Sequence, residues 1–376
     1  MTQPHAARLG ACASRSAGSR FSIGRFSATI FSLILCAIVW STVSPASAAQ
    51  VYIDHIYSVT RTRDVVYGTG AVSGGGSMAL LMDVWQPTYN GTYQVLPNRP
   101  AIVIQDGGAW TTGDKNNSRV TDFARYMARR GYTVFTTDYR QFNDFPVAGP
   151  GPWDQNLNFG FPLNIYPTAN VIKAGIEDFA TAISHVRANA ATYGIDPNRI
   201  AAAGGSSGAI NAMYLQYNRR TAHGQPFQAQ AVVSLVGTMY DNYDEIRGPS
   251  SETPPLFLLN GVTDQLITYS PNISPNLHNE LETRGGGIYY EQWLQDLPDH
   301  ELKHGIDYDF HPWSKDDPDK TDTSKNVLER VADFLAYQLA GGPLLVPEPS
   351  TVTLGISGAV ALLIVVRRQR RLARRR

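Results

Sequence analysis

The sequence predicts an α/β fold with a mostly parallel central sheet and helices on both faces. Between residues 78 and 339, short apolar runs alternate with segments of helical period, and clusters of Gly, Pro and Asn punctuate the changes. Within that alternation, Gly204-Gly205-Ser206-Ser207-Gly208 stands where an apolar run ends and a helical segment begins. Alternation of this kind marks strands joined by crossover helices rather than by hairpins.

Taken in order, residues 79–84 read as an early strand, 101–105 as a buried one and 133–136 as the next. Each is a run of apolar or β-branched residues that ends in Gly, Asp or Pro signals. Residues 120–130 fit a helix closed by Gly131. Residues 172–193 form one long amphipathic helix, with Ile172, Ile176, Phe179, Ile183 and Val186 recurring at helical spacing. Gly194 ends it, and Asp196-Pro197-Asn198 turns the chain into a strand at 200–203, followed by a helix at 209–217. Strands at 231–235, 256–259 and 288–294 and a helix at 326–339 complete the set, while residues 50–77 read as a β or irregular lead-in. Two loops break the rhythm, 144–167 and 298–323, and long loops in compact domains are commonly functional.

The two ends have a different character. Arg8, Arg15, Arg20 and Arg25 precede an apolar run at 28–43, after which Ala46-Ser47-Ala48 offers the small side chains of a cleavage site. The run is shorter than the ~20 residues that span a bilayer, so residues 1–49 are expected to be a signal peptide removed by signal peptidase. At the other end, Pro347-Glu348-Pro349 precedes an apolar stretch at 352–366 and seven arginines. An apolar helix with a basic block stops in the membrane with the arginines on the cytoplasmic side. Residues 346–376 resemble the PEP-CTERM sorting signal of bacteria that make exopolysaccharide. That resemblance implies a transient membrane contact through the helix, processing by an exosortase, and an extracellular or cell-surface destination. Residues 50–345 remain as the folded domain.

Removing the ends changes the charge. Residues 1–49 and 351–376 hold eleven arginines and no acid, so residues 50–350 carry 21 basic against 32 acidic side chains, a net charge of −11. Nucleic acid is an unsuitable partner for such a surface, because phosphate binding needs a basic face. Cys12 and Cys36 both lie in the leader. The domain therefore has no disulfide, and its stability must come from a large core.

The Gly204–Gly208 pentad carries the chemistry. Glycines permit a strained strand-to-helix turn that exposes the Ser206 hydroxyl, and the helix that follows aims its N-terminal N–H groups and dipole at a developing oxyanion. With its flanks, Arg199-Ile200-Ala201-Ala202-Ala203 before and Ala209 after, the segment resembles the nucleophile elbow of α/β-hydrolase esterases and lipases. Leu81-Met82-Asp83-Val84-Trp85-Gln86-Pro87, Gln105-Asp106-Gly107-Gly108-Ala109-Trp110 and Thr137-Asp138-Tyr139-Arg140 resemble, in that order, segments of carboxylesterases with an HGG-type oxyanion loop. The resemblance spans residues 79–340 and implies the α/β-hydrolase fold, with an oxyanion hole made by the amides of Gly108, Ala109 and Ser207. It departs from the family at Asp106, where a histidine is usual. A carboxylate there opposes oxyanion formation unless it turns away or is hydrogen bonded.

The same resemblance supplies the remaining members of a triad. Leu256-Phe257-Leu258-Leu259-Asn260-Gly261-Val262-Thr263-Asp264 is similar to the family's strand, turn and acid, so Asp264 is expected to orient the base. Two histidines can be that base: His300, favoured by its distance from the last strand, and His304, favoured by its His-Gly pair; we take His300, and His311 ranks third. Asp316, Asp317, Asp319 and Asp322 cluster near them, but their spacing matches no calcium loop, and neither metal nor cofactor is expected. Trp110, Trp153, Phe159, Phe161 and Tyr166 are candidates for the pocket wall. The expected activity is hydrolysis of a small-molecule or glycan ester. The rival readings are a catalytically weak binding protein of the extracellular matrix and a peptidase of the same fold.

Overall fold

The computed structural model describes residues 49–149, 169–218, 224–237, 239, 253–261, 290–294, 327–342 and 344–346. All of them belong to one unit, Ala48–Arg376. The two terminal signals expected from the sequence lie outside the described residues, apart from Ala49 at the end of the leader and Val346 at the start of the tail. Among the described residues no helix is long and apolar enough to cross a membrane.

The chain begins with β1 (Ala49–Val51), then β2 (Ser58–Val72) and β3 (Gly76–Thr88), an antiparallel hairpin. Gly74 and Gly75 close it with φ of +83° and +81°, a conformation that disfavours any side chain. The lead-in thus contains a 15-residue strand that its polar composition hid, because most of β2 is exposed at the sheet edge. β4 (Arg99–Gln105), β5 (Thr133–Thr137), β6 (Ile195–Gly205), β7 (Ala231–Leu235), β8 (Leu256–Gly261) and β9 (Tyr290–Leu294) complete an eight-stranded sheet in the order β2-β3-β5-β4-β6-β7-β8-β9. β2, β3 and β5 pair antiparallel, and every pairing from β5 to β9 is parallel. The central strands β4, β5 and β7 are buried along their whole length, which is why they read as unbroken apolar runs. β10 (Leu344–Val346) pairs antiparallel with β1, setting Ala49 opposite Val346.

Helices cover both faces. α1 (Ser118–Ala128) packs with α5 (Val327–Ala340) on one side, and α2 (Ala169–Ala188) packs with α4 (Ser207–Tyr217) on the other. Asn117 caps α1 by accepting the Arg119 N–H at 3.1 Å. Val120, Phe123, Ala124 and Met127 form the buried stripe of α1 at the spacing expected of an amphipathic helix. α4 is buried on every side, so it has no polar face.

Two elements correct the sequence reading. The single helix expected over 172–193 breaks after Ala188, and a short helix α3 (Ala190–Tyr193) follows. Asn189 sits at the break with φ −103° and ψ 20°, and its backbone N–H at 3.0 Å and side-chain amide at 2.8 Å both donate to the His185 carbonyl. Strand β6 also begins earlier than the expected 200–203: Ile195 already pairs with Arg99, and the Asp196-Pro197-Asn198 turn is an outward irregularity within the strand. There the Asp196 carboxylate accepts the Asn198 N–H at 2.9 Å.

Behind the sheet, Arg140 is buried and fully engaged. It donates to Asp178 at 2.7 Å, to Glu177 at 2.6 Å and to the carbonyls of Ala71 and Val147 at 2.9 Å each. Burial raises the Asp178 carboxyl to about 6 against the pull of Arg140, whereas the net shift on Arg140 is upward because Asp178 and Glu177 outweigh its own burial. This cluster fixes the segment after β5, on which part of the site depends.

Candidate active site

In the sheet register Gln105, Gly204 and Ser234 lie side by side, so β4, β6 and β7 end at one level. Asp106, Ser206 and Val236 leave the sheet there, at the carboxyl edge where α/β sheets bind ligands. Ser206 joins β6 to α4 with φ 50° and ψ −119°, a conformation that costs a non-glycine residue about 1–3 kcal/mol. The turn persists because both sides are held. The Ser206 N–H donates to the Leu235 carbonyl at 2.9 Å, and its own carbonyl accepts the Ile210 N–H at 2.9 Å, which starts the helix. The Ser206 side chain does not cap the helix.

The glycines around it are steric requirements. A Cβ on Gly204 meets the backbone of Gly208 and Ala209, and one on Gly208 meets the carbonyls of Gln105 and Asp106. A Cβ on Gly107 comes within 2.8 Å of the Ser206 Cβ. Strand β6, the strained serine and helix α4, inside a sheet of this strand order, decide the architecture. The fold is that of the α/β hydrolases.

The loop after β4 forms the facing wall. Gly108, Ala109 and Trp110 all have positive φ, at 124°, 50° and 56°. Only glycine fits at 108, since a Cβ there collides with the Thr112 carbonyl. The Gly108 carbonyl accepts the N–H groups of Thr111 at 2.9 Å and Thr112 at 3.0 Å, which folds the loop back on itself. Gly108 and Ala109, two of the three residues named for the oxyanion hole, line a cavity of about 390 Å³ together with Ser206. The third, Ser207, is the first residue of α4, where N–H groups have no intrahelical acceptor.

Trp110 is a correction. It is 2 % exposed and is absent from the cavity wall; its indole N–H donates to Asn211 Oδ1 at 2.9 Å, and the Asn211 amide donates to Gln105 Oε1 at 3.0 Å. The side chain latches the loop to α4 instead of meeting substrate, because a buried indole N–H needs an acceptor and Asn211 provides it. Tyr139 makes a second latch: its buried hydroxyl lies 3.2 Å from the Ser207 hydroxyl and donates to the Gly107 carbonyl at 3.4 Å. Burial pushes the Tyr139 phenol well up, so it stays protonated. Tyr139 and Gln105 lie within motifs legible in the sequence, but nothing local marks either as a latch, and Asn211 lies in a helix with no motif of its own.

Asp106 resolves the departure noted in the sequence. It is 3 % exposed, and its carboxylate accepts from Arg119 at 3.4 Å, from the Asp114 N–H at 3.5 Å and from the Gly107 N–H. Burial nevertheless raises its pKa, the three contacts pulling the other way. The carboxylate is thus the hydrogen-bonded case, held by backbone and Arg119. Thr111, Thr112 and Arg119 add polar groups to the cavity, and Ile104, Val120, Phe123, Leu235 and Val236 make its apolar part.

Asp264, His300, His304 and His311 lie outside the described residues, as do Trp153, Phe159, Phe161, Tyr166 and the acidic group at Asp316, Asp317, Asp319 and Asp322. The strands before the first two are described: β8 ends three residues before Asp264 and β9 six residues before His300, with Gly261 beside Leu294.

A family model described as BD-FAE matches residues 166–244, which hold α2, β6, Ser206, α4 and β7. Esterase LipC of Mycobacterium tuberculosis is 28% identical over 172 residues, 43% of this chain and 35% of the relative, so the chain spans about a third of that protein's length. Among solved structures, propionate-bound Est2 of Thermogutta terrifontis is 19% identical with a TM-score of 0.46, covering 66% of this chain and 85% of that one. The same esterase phosphorylated by paraoxon is 18% identical with a TM-score of 0.48, covering 78% and 95%.

Proposed function

We propose that this chain is an exported serine esterase that cleaves carboxyl esters by two-step acyl transfer. One observation carries the reading: Ser206 is held in a strained turn at the head of α4, in one cavity with Gly108 and Ala109. Ser206 attacks the ester carbonyl while a histidine, His300 or its alternate His304, takes its proton. Asp264 accepts the other imidazole N–H and stabilises the imidazolium. The amides of Gly108, Ala109 and Ser207 receive the oxyanion, and water later releases the acyl group by the same route. The stretch similar to Esterase LipC supports ester hydrolysis.

The substrate setting follows from the tail. A PEP-CTERM signal places the protein among extracellular polysaccharides, and removal of acyl groups from glycans is the activity proposed there. The rival reading as a binding protein rests on Asp106 and the acidic surface; the Asp106 carboxylate is hydrogen bonded, which weakens the first of these supports.

The test compares hydrolysis of short and long p-nitrophenyl esters by wild type and Ser206→Ala. Loss of at least about 10³-fold in kcat is expected, the scale seen when a triad nucleophile is removed. A folded wild type that neither turns over these esters nor reacts with a fluorophosphonate probe overturns the esterase reading. Release of acyl groups from aryl esters but never from acylated polysaccharide overturns the glycan part alone.

A further inference from the structure

The cavity beside Ser206 has an uneven charge distribution. Its described lining contains two charged side chains, Asp106 and Arg119, and they differ in what they leave available. Asp106 is 3 % exposed, one oxygen on Arg119 and the other on the Asp114 N–H. Arg119 is different: its side chain is 40% exposed, and among the described residues its one ion-pair partner is Asp106, through a single N–H at 3.4 Å. A guanidinium has five N–H donors in a planar fork suited to a carboxylate. Most of that fork faces no protein acceptor among the described residues.

The position of Arg119 is fixed. Its backbone N–H is bound to the Asn117 side chain at 3.1 Å in the first turn of α1, and the next residue, Val120, is buried in the same wall. Asp106 then anchors the head group from below. Ile104, Val120, Phe123, Leu235 and Val236 make the apolar part of the wall, and the Thr111 and Thr112 hydroxyls are turned to the Gly108 carbonyl. A largely apolar chamber with one partly exposed cationic fork suits a ligand that is apolar next to the reacting carbonyl and anionic a few bonds away.

We propose that Arg119 is a specificity-determining residue of this site and binds a carboxylate borne by the ester substrate, so that the enzyme favours acidic esters over neutral ones of the same length. The inference rests on the esterase reading for its chemistry, but not for its binding. A carboxylate can sit on the acyl side, as in a dicarboxylic hemiester, or on the alcohol side, as in an acylated hydroxy or uronic acid. The two share one recognition chemistry and differ in which arm of the test responds.

Two matched pairs separate them: monoethyl succinate against ethyl butyrate, and O-acetylglycolate against propyl acetate. Binding to Ser206→Ala is measured by calorimetry, and hydrolysis by wild type is followed by chromatography of the products. The acidic member of at least one pair is expected to bind about tenfold more tightly, the scale of one charged hydrogen bond, and to show a kcat/KM advantage of similar size. Arg119→Met in the same backgrounds abolishes the preference, and Arg119→Lys restores part of it. Equal affinity within each pair in Ser206→Ala, or a preference that survives Arg119→Met, overturns the proposal. Selective binding without turnover of any ester by wild type leaves Arg119 in its role and overturns the esterase reading instead.

Discussion

Single residues at this site hold conformations and charges that the surrounding structure must support. Ser206 keeps φ at 50° because its N–H and carbonyl are both bound, and the residue lines the cavity. Asp106 bears a cost of another kind. Burial raises its carboxyl above the usual 3.8, against the pull of Arg119 and two backbone N–H groups. Between the usual value and the raised one, the folded chain binds a proton that the unfolded chain has released, so stability falls as pH rises through that window. Above it the full cost persists. Asp106→Asn is therefore expected to melt at a higher temperature than wild type at neutral pH, with the difference closing as the pH falls toward the usual carboxylate range. Loss of the Arg119 contact subtracts little, because that partner is 40% exposed. Thermal melts of both proteins across pH check it, and a gap that widens on acidification contradicts the assignment.

Elements matter here through the latches between them. The loop after β4 is tied to α4 by Trp110 and Asn211, and Tyr139 bridges Gly107 to Ser207. The two arms of the proposed oxyanion site are therefore tied to each other. Trp110→Phe keeps the ring but removes the indole N–H, leaving a buried Asn211 acceptor unpaired at a cost of about 1–3 kcal/mol. Denaturant unfolding should show that loss, and ester hydrolysis should fall through kcat as the loop loosens. Unchanged kcat in a destabilised variant means that the latch serves stability alone. Strands β4, β5 and β7 were legible in the sequence because burial on both faces makes them continuous apolar runs. Strand β2 was not, since an edge strand with one face in water mixes polar and apolar residues without a run. The break at Asn189 was hidden for a related reason: the apolar period carries on across it while the Asn189 backbone departs from helical dihedrals, at φ −103° and ψ 20°.

For the whole molecule, residues 50–350 carry a net charge of −11, and a net charge far from zero keeps chains apart in solution. The β1–β10 pair closes the domain at its two ends. A chain ended at Gly342 loses the partner of β1, exposing its backbone groups as an unpaired edge. Relative to a chain ended at Val346, it is expected to melt a few degrees lower with ester hydrolysis retained, since the clasp is formed by strands outside the sheet that carries Ser206. Equal melting temperatures show that the clasp contributes nothing. What the sequence by itself determined is local: most of the strands and helices in their order, a serine at a glycine-flanked strand-to-helix turn, and the glycine pair of the facing loop, all set by spacing along the chain. What only the tertiary structure decided is the company these residues keep. Trp110 looked like a pocket wall and proved to be a latch, Asp106 looked unfavourable and proved to be hydrogen bonded, and Arg119 drew no notice until packing set it beside Ser206. Such partnerships join positions 13 to 106 residues apart, and no local pattern records which distant side chain will fill a buried donor or acceptor.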